Sequence, residues 1–183
     1  FAFENVISSE SLTAISIPNM LTFKNYEEKK PWYQCSNLIS ILKKAGYETY
    51  WLSNQSKNET VGRVFSSLAG SSFFAEDFTK NQEIYDEILI QKGLEIVKDT
   101  KKKAIFFHLS GSHNSYVKRY PENWNIDTIE TIRGNQKEKI KKYIAEYSNS
   151  LRYTDYILNL IIEKFKQENM ACFYLSDHAE EMY

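Results

Sequence analysis

Short apolar runs alternate with helix-patterned stretches along this 183-residue chain, and that alternation restricts its fold more than any other feature. Runs typical of strands occupy residues 3–7, 47–52, 104–109 and 171–175, with a weaker candidate at Ser71–Phe74. Strands that alternate with helices are typical of α/β domains with a parallel sheet. We therefore predict an α/β fold with a mostly parallel central sheet flanked by helices.

Apolar residues with helical spacing predict the intervening helices. The predicted helices span residues 36–45 (stopped by Gly46), Thr60–Leu68, 83–97 and 135–166. The core-facing stripe of the last helix is predicted to comprise Ile140, Ile144, Tyr147, Leu151, Leu158, Ile161 and Phe165, with Thr154 filling one step. Thr13–Leu21 also has helical spacing, and Pro18 is tolerated if it falls in the first turn. Thr13 would then lie at or near the helix N-terminus.

The composition is that of one globular domain, and it excludes several classes of protein. A net charge of −1 gives no reason to expect nucleic-acid binding. No stretch approaches the roughly 18 consecutive apolar residues of a membrane-spanning helix. Cys35 and Cys172 lie far apart and do not indicate a disulfide framework. We predict that Cys172 is a buried thiol in the last strand.

Polar residues follow the predicted strands at four places: 11–13, 54–55, 108–113 and 177–178. Ligands of open α/β sheets collect at the carboxyl ends of the strands, so four such clusters indicate one active site. Asp177 and His178 offer a carboxylate oxygen and an imidazole nitrogen, which both suit Zn²⁺. The alternative is a capping Asp beside an ordinary surface His.

Thr13 and the two histidines of the 108–113 stretch are the other candidate site residues. Backbone N–H groups at a helix start favour an anion such as phosphate, so Thr13 could lie beside a phosphoryl group. The alternative for Thr13 is a simple N-cap. His108 and His113 flank a glycine-containing turn that opens a long loop, and such loops are often functional.

Five motifs carry a resemblance to a known family. They are Asn5-Val-Ile-Ser with Thr13-Ala-Ile-Ser-Ile-Pro-Asn-Met, Trp51-Leu-Ser-Asn-Gln, Phe107-His-Leu-Ser-Gly-Ser-His with Lys118-Arg-Tyr-Pro, Tyr147-Ser-Asn-Ser-Leu-Arg-Tyr-Thr-Asp, and Ser176-Asp-His. Together, and in this order, they resemble the phosphoethanolamine transferases of the alkaline phosphatase/sulfatase superfamily. These are bacterial inner-membrane enzymes that modify lipopolysaccharide, some of them linked to polymyxin resistance. The Trp51–Gln55 motif is most similar to the branch that modifies the lipopolysaccharide core.

The resemblance implies a zinc-dependent transfer. Thr13 is implied as the nucleophile and a metal ligand, with Asp177 and His178 as the other ligands present. His113 is implied to bind the phosphoryl group or protonate the leaving group, and His108 and Asn54 to contact substrate. His108 could equally be a buried structural residue, and Asn54 and Gln55 simple turn caps. The implied donor is phosphatidylethanolamine, and the implied acceptor is a lipopolysaccharide core sugar or lipid A.

The resemblance also implies that residues 1–183 form an incomplete catalytic domain. The family has a membrane region and a metal-binding Glu upstream, and a further metal His downstream, so we expect the inner membrane as location with this domain facing the periplasm. Ala179, Ser148 and Asn19 depart from the family's usual Gly, Asp and Cys. Two alternatives remain: a glycerol-phosphate transferase of the lipoteichoic acid synthase type, and a degenerate domain that only binds a head group. A sulfatase is disfavoured because the Thr13 segment lacks the C/S-x-P-x-R arrangement.

Overall fold

A computed structural model describes residues 6–25, 27, 29–78 and 83–180. The helices and strands are α1 (Thr13–Leu21), α2 (Leu38–Lys44), β1 (Glu48–Ser53), α3 (Thr60–Leu68), β2 (Ser71–Phe74), α4 (Glu87–Ile96), β3 (Lys103–His108) and α5 (Glu138–Phe165). Short 3-10 turns occupy Trp32–Gln34, Ala75–Asp77, Tyr116–Lys118 and Glu122–Trp124. The described strands form one sheet in the order β2-β1-β3, with both pairs parallel. The predicted α/β fold with a parallel sheet is confirmed.

The register of β1 and β3 brings their ends to the same level. Glu48 pairs with Lys103 at the start of the two strands, and Ser53 pairs with His108 at their carboxyl ends. The Asn54 N–H continues the ladder by donating to the His108 carbonyl at 3.0 Å. The polar residues that follow β1 and β3 therefore emerge side by side at one edge of the sheet.

The core lies on both faces of this sheet because alternate side chains of a strand point to opposite sides. Trp51 packs on one face with residues of α1, α2, α3 and β2: Ile17, Ile39, Val61, Phe65 and Phe74. Leu52 packs on the other face with Phe73, Ala75 and Leu89. Helix α5 covers that second face with Tyr153, Ile157, Ile161 and Phe165. Burying both faces is what a parallel sheet requires.

Most predicted helices are confirmed, with shifts at their ends. α3 and β2 have the predicted bounds, and α2 ends before Gly46, whose φ of +85° suits glycine. α4 begins at Glu87 rather than at residue 83. In α5 the prediction for Leu151 is wrong, since it is 45% exposed. Thr154 is buried as predicted, but Asn149 and Ser150 are buried as well, and an apolar pattern cannot reveal those two.

The expected position of Pro18 in the first turn of α1 is wrong. Pro18 is the sixth residue of the helix, where its missing N–H removes the bond to the Ala14 carbonyl. The ring is fully buried, and the Pro18 carbonyl accepts hydrogen bonds from the Thr22 N–H at 3.0 Å and the Thr22 hydroxyl at 2.7 Å. Burial and a closed C-terminal turn thus offset the lost bond.

The predicted last strand, residues 171–175, is also wrong. The segment pairs with no strand among the described residues, and its side chains are exposed, Phe173 by 84%. Cys172, predicted as a buried thiol, is exposed with it. An apolar run becomes a buried strand only beside a neighbour that pairs with it, and the run itself cannot specify one. Of the predicted short strand at 3–7, residues 3–5 lie outside the described part, and Val6 and Ile7 are exposed and irregular.

No helix in the described ranges has the length and hydropathy needed to cross a membrane.

Candidate active site

Thr13 is the first residue of α1, at the edge of the sheet that the strand ends define. Leu12 occupies the N-cap position with extended backbone, and no side chain caps the helix. The alternative that Thr13 is an N-cap is therefore wrong. Its half-buried hydroxyl lies 3.2 Å from Nε2 of His178 instead.

Asp177 and His178 meet Thr13 at this point. The Asp177 Oδ2 lies 3.6 Å from the His178 Nε2, the same nitrogen that contacts the Thr13 hydroxyl. The His178 Nδ1 lies 2.9 Å from the Ala179 carbonyl, which can only accept, so Nδ1 carries a proton. In the neutral ring, Nε2 is therefore an acceptor for the hydrogen of the Thr13 hydroxyl. The structure brings all three predicted metal ligands together.

The backbone of Asp177 is held by hydroxyl groups rather than by a strand. Its carbonyl oxygen accepts hydrogen bonds from Ser8 and Ser16, whose oxygens lie 3.0 Å apart. Ser16 is buried on the second turn of α1, so the helix that carries Thr13 also anchors Asp177. The Ser176 hydroxyl donates to the His178 carbonyl at 2.8 Å.

A carboxylate oxygen, an imidazole nitrogen and a hydroxyl oxygen are donors that zinc accepts in proteins, so the residues at this point fit that metal. In the described part of the chain, no group of three or more His, Cys, Asp and Glu side chains is placed to hold a metal ion. The convergence here contains two such side chains, and its third member is the Thr13 hydroxyl.

His108 lies beneath this edge at the end of β3. Its Nδ1 is 3.0 Å from the Ser53 hydroxyl, and its ring contacts Trp51 at a centroid distance of 5.2 Å. Nε2 is buried with no hydrogen-bond partner in the described structure. Burial lowers the pKa of His108 to about 4, and the negative charge of Asp177 acts against that shift. His108 is therefore a neutral, half-buried imidazole at neutral pH, and substrate contact by His108 stays a prediction.

His113 is exposed on the loop that follows β3. Arg119 shapes this loop by donating from Nε to the His113 carbonyl at 3.1 Å, from Nη1 to the Ser110 hydroxyl at 2.6 Å, and from Nη2 to the Asn114 carbonyl at 2.7 Å. Burial lowers the pKa of Arg119, while Asp86 and Glu59 act in the opposite direction. A polar cleft of about 220 Å³ is lined by Asn54, Gln55, Ser56, Glu59, Ser110, His113 and Arg119.

Asn54 and Gln55 reach this cleft from the end of β1, and both amides are also used internally. The Asn54 Nδ2 donates to Asp86 at 2.9 Å and to the Ile84 carbonyl at 3.3 Å. The Gln55 Nε2 donates to the Leu109 carbonyl at 2.8 Å. Their contacts support the turn-holding alternative, and substrate contact by Asn54 stays a prediction.

Sequence reasoning missed two residues here, Arg119 and Asp86. Arg119 stood inside the Lys118–Pro121 motif, but its sequence position does not reveal three hydrogen bonds to one loop. Asp86 precedes a helix and therefore resembles a common N-cap residue. Its real partners, the amides of Ser110 and Gly111, lie more than twenty positions away.

Comparisons with known proteins show the family to which the chain belongs. The family model described as Sulfatase matches residues 1–183. The phosphoethanolamine transferase EptC of Escherichia coli K12 is 31% identical over 99% of this chain, and CptA of Salmonella typhimurium LT2 is 32% identical over 99%. The crystal structure of the C-terminal periplasmic domain of Escherichia coli EptC, in complex with zinc, superposes with a TM-score of 0.78 and 30% identity over 91% of this chain.

The chain spans about a third of the length of these curated relatives and 49% of the solved EptC chain. The matches nevertheless run over nearly all of the present sequence, including the segments that carry Thr13, His113 and Asp177-His178. The chain therefore belongs to the sulfatase family, as a domain homologous to the phosphoethanolamine transferases that its motifs resemble.

Proposed function

We propose that the protein to which this domain belongs transfers phosphoethanolamine from phosphatidylethanolamine to a lipopolysaccharide core sugar or lipid A. Thr13 is the nucleophile and is phosphorylated during the cycle. The observation that carries the proposal is the meeting of the Thr13 hydroxyl, the Asp177 carboxylate and His178 Nε2 at the N-terminus of a helix. The matched relatives are named phosphoethanolamine transferases, which supports phosphoethanolamine as the transferred group. The zinc complex of the EptC domain supports zinc as the metal.

Asp177, His178 and Thr13 would hold the zinc. When bound, zinc favours the deprotonated form of a coordinated oxygen, and threonine needs such activation because its hydroxyl is a weak nucleophile. The N–H groups at the start of α1 would stabilise the phosphorylated Thr13.

Transfer would proceed in two displacements. In the first, the Thr13 oxygen bonds to phosphorus, the bond to the diacylglycerol oxygen breaks, and His113 gives that oxygen a proton. In the second, His113 takes the proton of the acceptor hydroxyl, whose oxygen bonds to phosphorus and releases Thr13. His113 suits both roles because imidazole can give and take a proton near neutral pH. We place the domain in the periplasm, where the solved EptC domain lies, and its protein in the inner membrane, as the family resemblance implies.

The test is the intact mass of the full-length protein after incubation with phosphatidylethanolamine. We expect a phosphoethanolamine adduct that peptide mapping assigns to Thr13, and none on a Thr13→Ala protein. An adduct on another residue, or turnover by Thr13→Ala, would refute the mechanism. Donor binding without any adduct would support the degenerate binding domain. A glycerol-phosphate adduct from phosphatidylglycerol would support the lipoteichoic acid type of enzyme.

A further inference from the structure

Asp86 is a buried carboxylate that the proposed transfer chemistry does not use. It is only 5% exposed, and its two oxygens together accept three hydrogen bonds. Oδ1 accepts from the Asn54 Nδ2 at 2.9 Å and from the Ser110 N–H at 2.9 Å, and Oδ2 accepts from the Gly111 N–H at 3.0 Å. One side chain thus joins the turn after β1 to the loop after β3.

These contacts are not the ones that the position of Asp86 would predict. Asp86 is the N-cap residue of α4, but its side chain makes no capping hydrogen bond to that helix. An Asp at an N-cap commonly accepts from the N–H groups of the first turn of its own helix, which stabilises the helix by about 1 kcal/mol. Here the carboxylate is directed instead at the loop that carries His113.

The same loop is held from its other side by Arg119, which contacts Ser110, His113 and Asn114. Gly111 lies between the two anchors with a φ of +52°, a conformation that side chains disfavour. The backbone from Ser110 to Asn114 is therefore tied at its start by Asp86 and at its end by Arg119. Hydrogen bonds to a carboxylate are stronger than neutral ones, so the Asp86 end is a firm attachment.

We propose that Asp86 is a positioning residue for the transfer reaction: it holds the 110–113 backbone, and through it His113, in register with the carboxyl end of β1. The inference rests on the proposed function, because His113 is the group being positioned. Asp86 itself touches neither substrate nor the reacting atoms. Its effect on turnover must therefore pass through His113.

The substitution Asp86→Asn tests this with almost no change in shape. The amide of Asn has only one acceptor oxygen, and its NH₂ group takes the place of the other carboxylate oxygen. That NH₂ group would face the backbone N–H of either Ser110 or Gly111, donor against donor. We expect kcat of the full-length enzyme to fall about 10- to 100-fold, with KM nearly unchanged, because small misplacements of a catalytic group have costs of that size. Asp99→Asn is the matched control, since Asp99 is an exposed carboxylate before the opposite end of β3. It should leave kcat unchanged.

A double-mutant cycle with His113→Asn separates positioning from general stability. In the His113→Asn enzyme, adding Asp86→Asn should lower kcat by less than about twofold. Full additivity of the two losses would overturn the role of Asp86 and leave that of His113 in place. Full turnover by His113→Asn alone would instead refute the catalytic role of His113, and the inference with it.

A further variant covers loss of folding. Asp86→Ser retains a side chain that can cap α4 while it withdraws the carboxylate from Ser110 and Gly111. If Asp86→Asn does not fold, the same cycle is run with Asp86→Ser, with the same expected result. Failure of both variants to fold would make Asp86 a structural residue and overturn the proposal.

Discussion

The loop after β3 and the segment from 171 to 180 supply side chains to the same edge of the sheet, but they are anchored very differently. The loop begins at a paired strand and is tied by Asp86 and Arg119. The segment pairs with no described strand, and its apolar side chains are exposed. Its main attachments are Ser8 and Ser16 at the Asp177 carbonyl and the contact of His178 with Thr13.

The difference shows that the site combines a firmly held half and a lightly held half. His113, on the firm half, depends on backbone geometry that many hydrogen bonds determine. Asp177 and His178, on the light half, depend on a few contacts to α1 and to Ser8. A ligand shared by Thr13, Asp177 and His178 would therefore stabilise the light half more than the firm half. Binding favours the conformation in which these three side chains are in place, and the light half has few other contacts that favour it.

The largest expected effect concerns the light half directly. Asp177→Asn and His178→Gln should each lower the turnover of the full-length enzyme by about a thousandfold or more. Each substitution replaces a proposed ligand of the zinc that would activate Thr13. Elemental analysis should find zinc depleted in both proteins. Full zinc occupancy in both would show that the metal is bound elsewhere.

His108 connects the two halves, since its ring contacts Ser53 and is influenced by Asp177. Burial holds its folded-state pKa near 4, below the ordinary value of 6.5. Between these values the unfolded chain binds a proton that the folded chain does not, so the stability associated with His108 falls as pH decreases through this window.

The difference in unfolding free energy between wild type and His108→Gln should therefore change by on the order of 3 kcal/mol from pH 7 to pH 4, with the wild type losing more. Urea titrations at several pH values measure it, and groups common to both proteins cancel. Parallel pH profiles of the two proteins would contradict the lowered pKa.

The segment 125–127 is a second firmly held loop, and it can be compared with the loop after β3. Asn149 is buried on α5, where its Oδ1 accepts from the N–H groups of Ile126 and Asp127 at 3.1 and 2.8 Å. Its Nδ2 donates to the Asn125 side chain and the Asp127 carbonyl. Asn149→Ala should lower the unfolding free energy by about 2 kcal/mol, because the N–H groups of Ile126 and Asp127 would lose their hydrogen-bond acceptor. Exposed Asn135→Ala is the control, and an equal loss in both would contradict the argument.

The smallest expected effect tests the attachment of Asp177. Ser16→Ala should cost less than about 1 kcal/mol in unfolding free energy, since Ser8 still donates to the Asp177 carbonyl. Zinc affinity, measured by competition with a chelator, should nevertheless fall about tenfold, the scale seen when groups that orient ligands are removed. Exposed Ser67→Ala serves as control. Unchanged affinity would show that the segment needs no such anchor.

Local patterns in the sequence were enough to predict much of the fold. The apolar period of α3 and the short run of β2 gave the observed bounds, because both elements are defined by local spacing and local burial. The strand at 171–175 and the burial of Cys172 could not be predicted in the same way, because they depend on whether another strand lies beside the segment. Leu151 was misplaced for a related reason, since polar side chains form the buried face there.

For the site, the residue types and their positions after predicted strands led to the expectation that Thr13, Asp177 and His178 would converge. The structure brings them together, although neither predicted strand is formed by the described residues before them. The sequence could not distinguish an Asn54 that faces substrate from one that donates to Asp86, because both follow from the same turn. The role of Asp86 could not be predicted, because the N–H groups of Ser110 and Gly111 are distant in the chain. Every residue except proline has such an N–H group, so the sequence does not mark them as partners.

The contact of Thr13 with His178 joins residues 165 positions apart, and that of Ser53 with His108 joins residues 55 apart. Closing loops of such length costs entropy that only later contacts repay. The reactive hydroxyl consequently meets its partners only when nearly the whole domain has been assembled. Partly folded chains carry the same residues but do not bring them together, so the proposed transfer chemistry would begin only in a fully assembled domain.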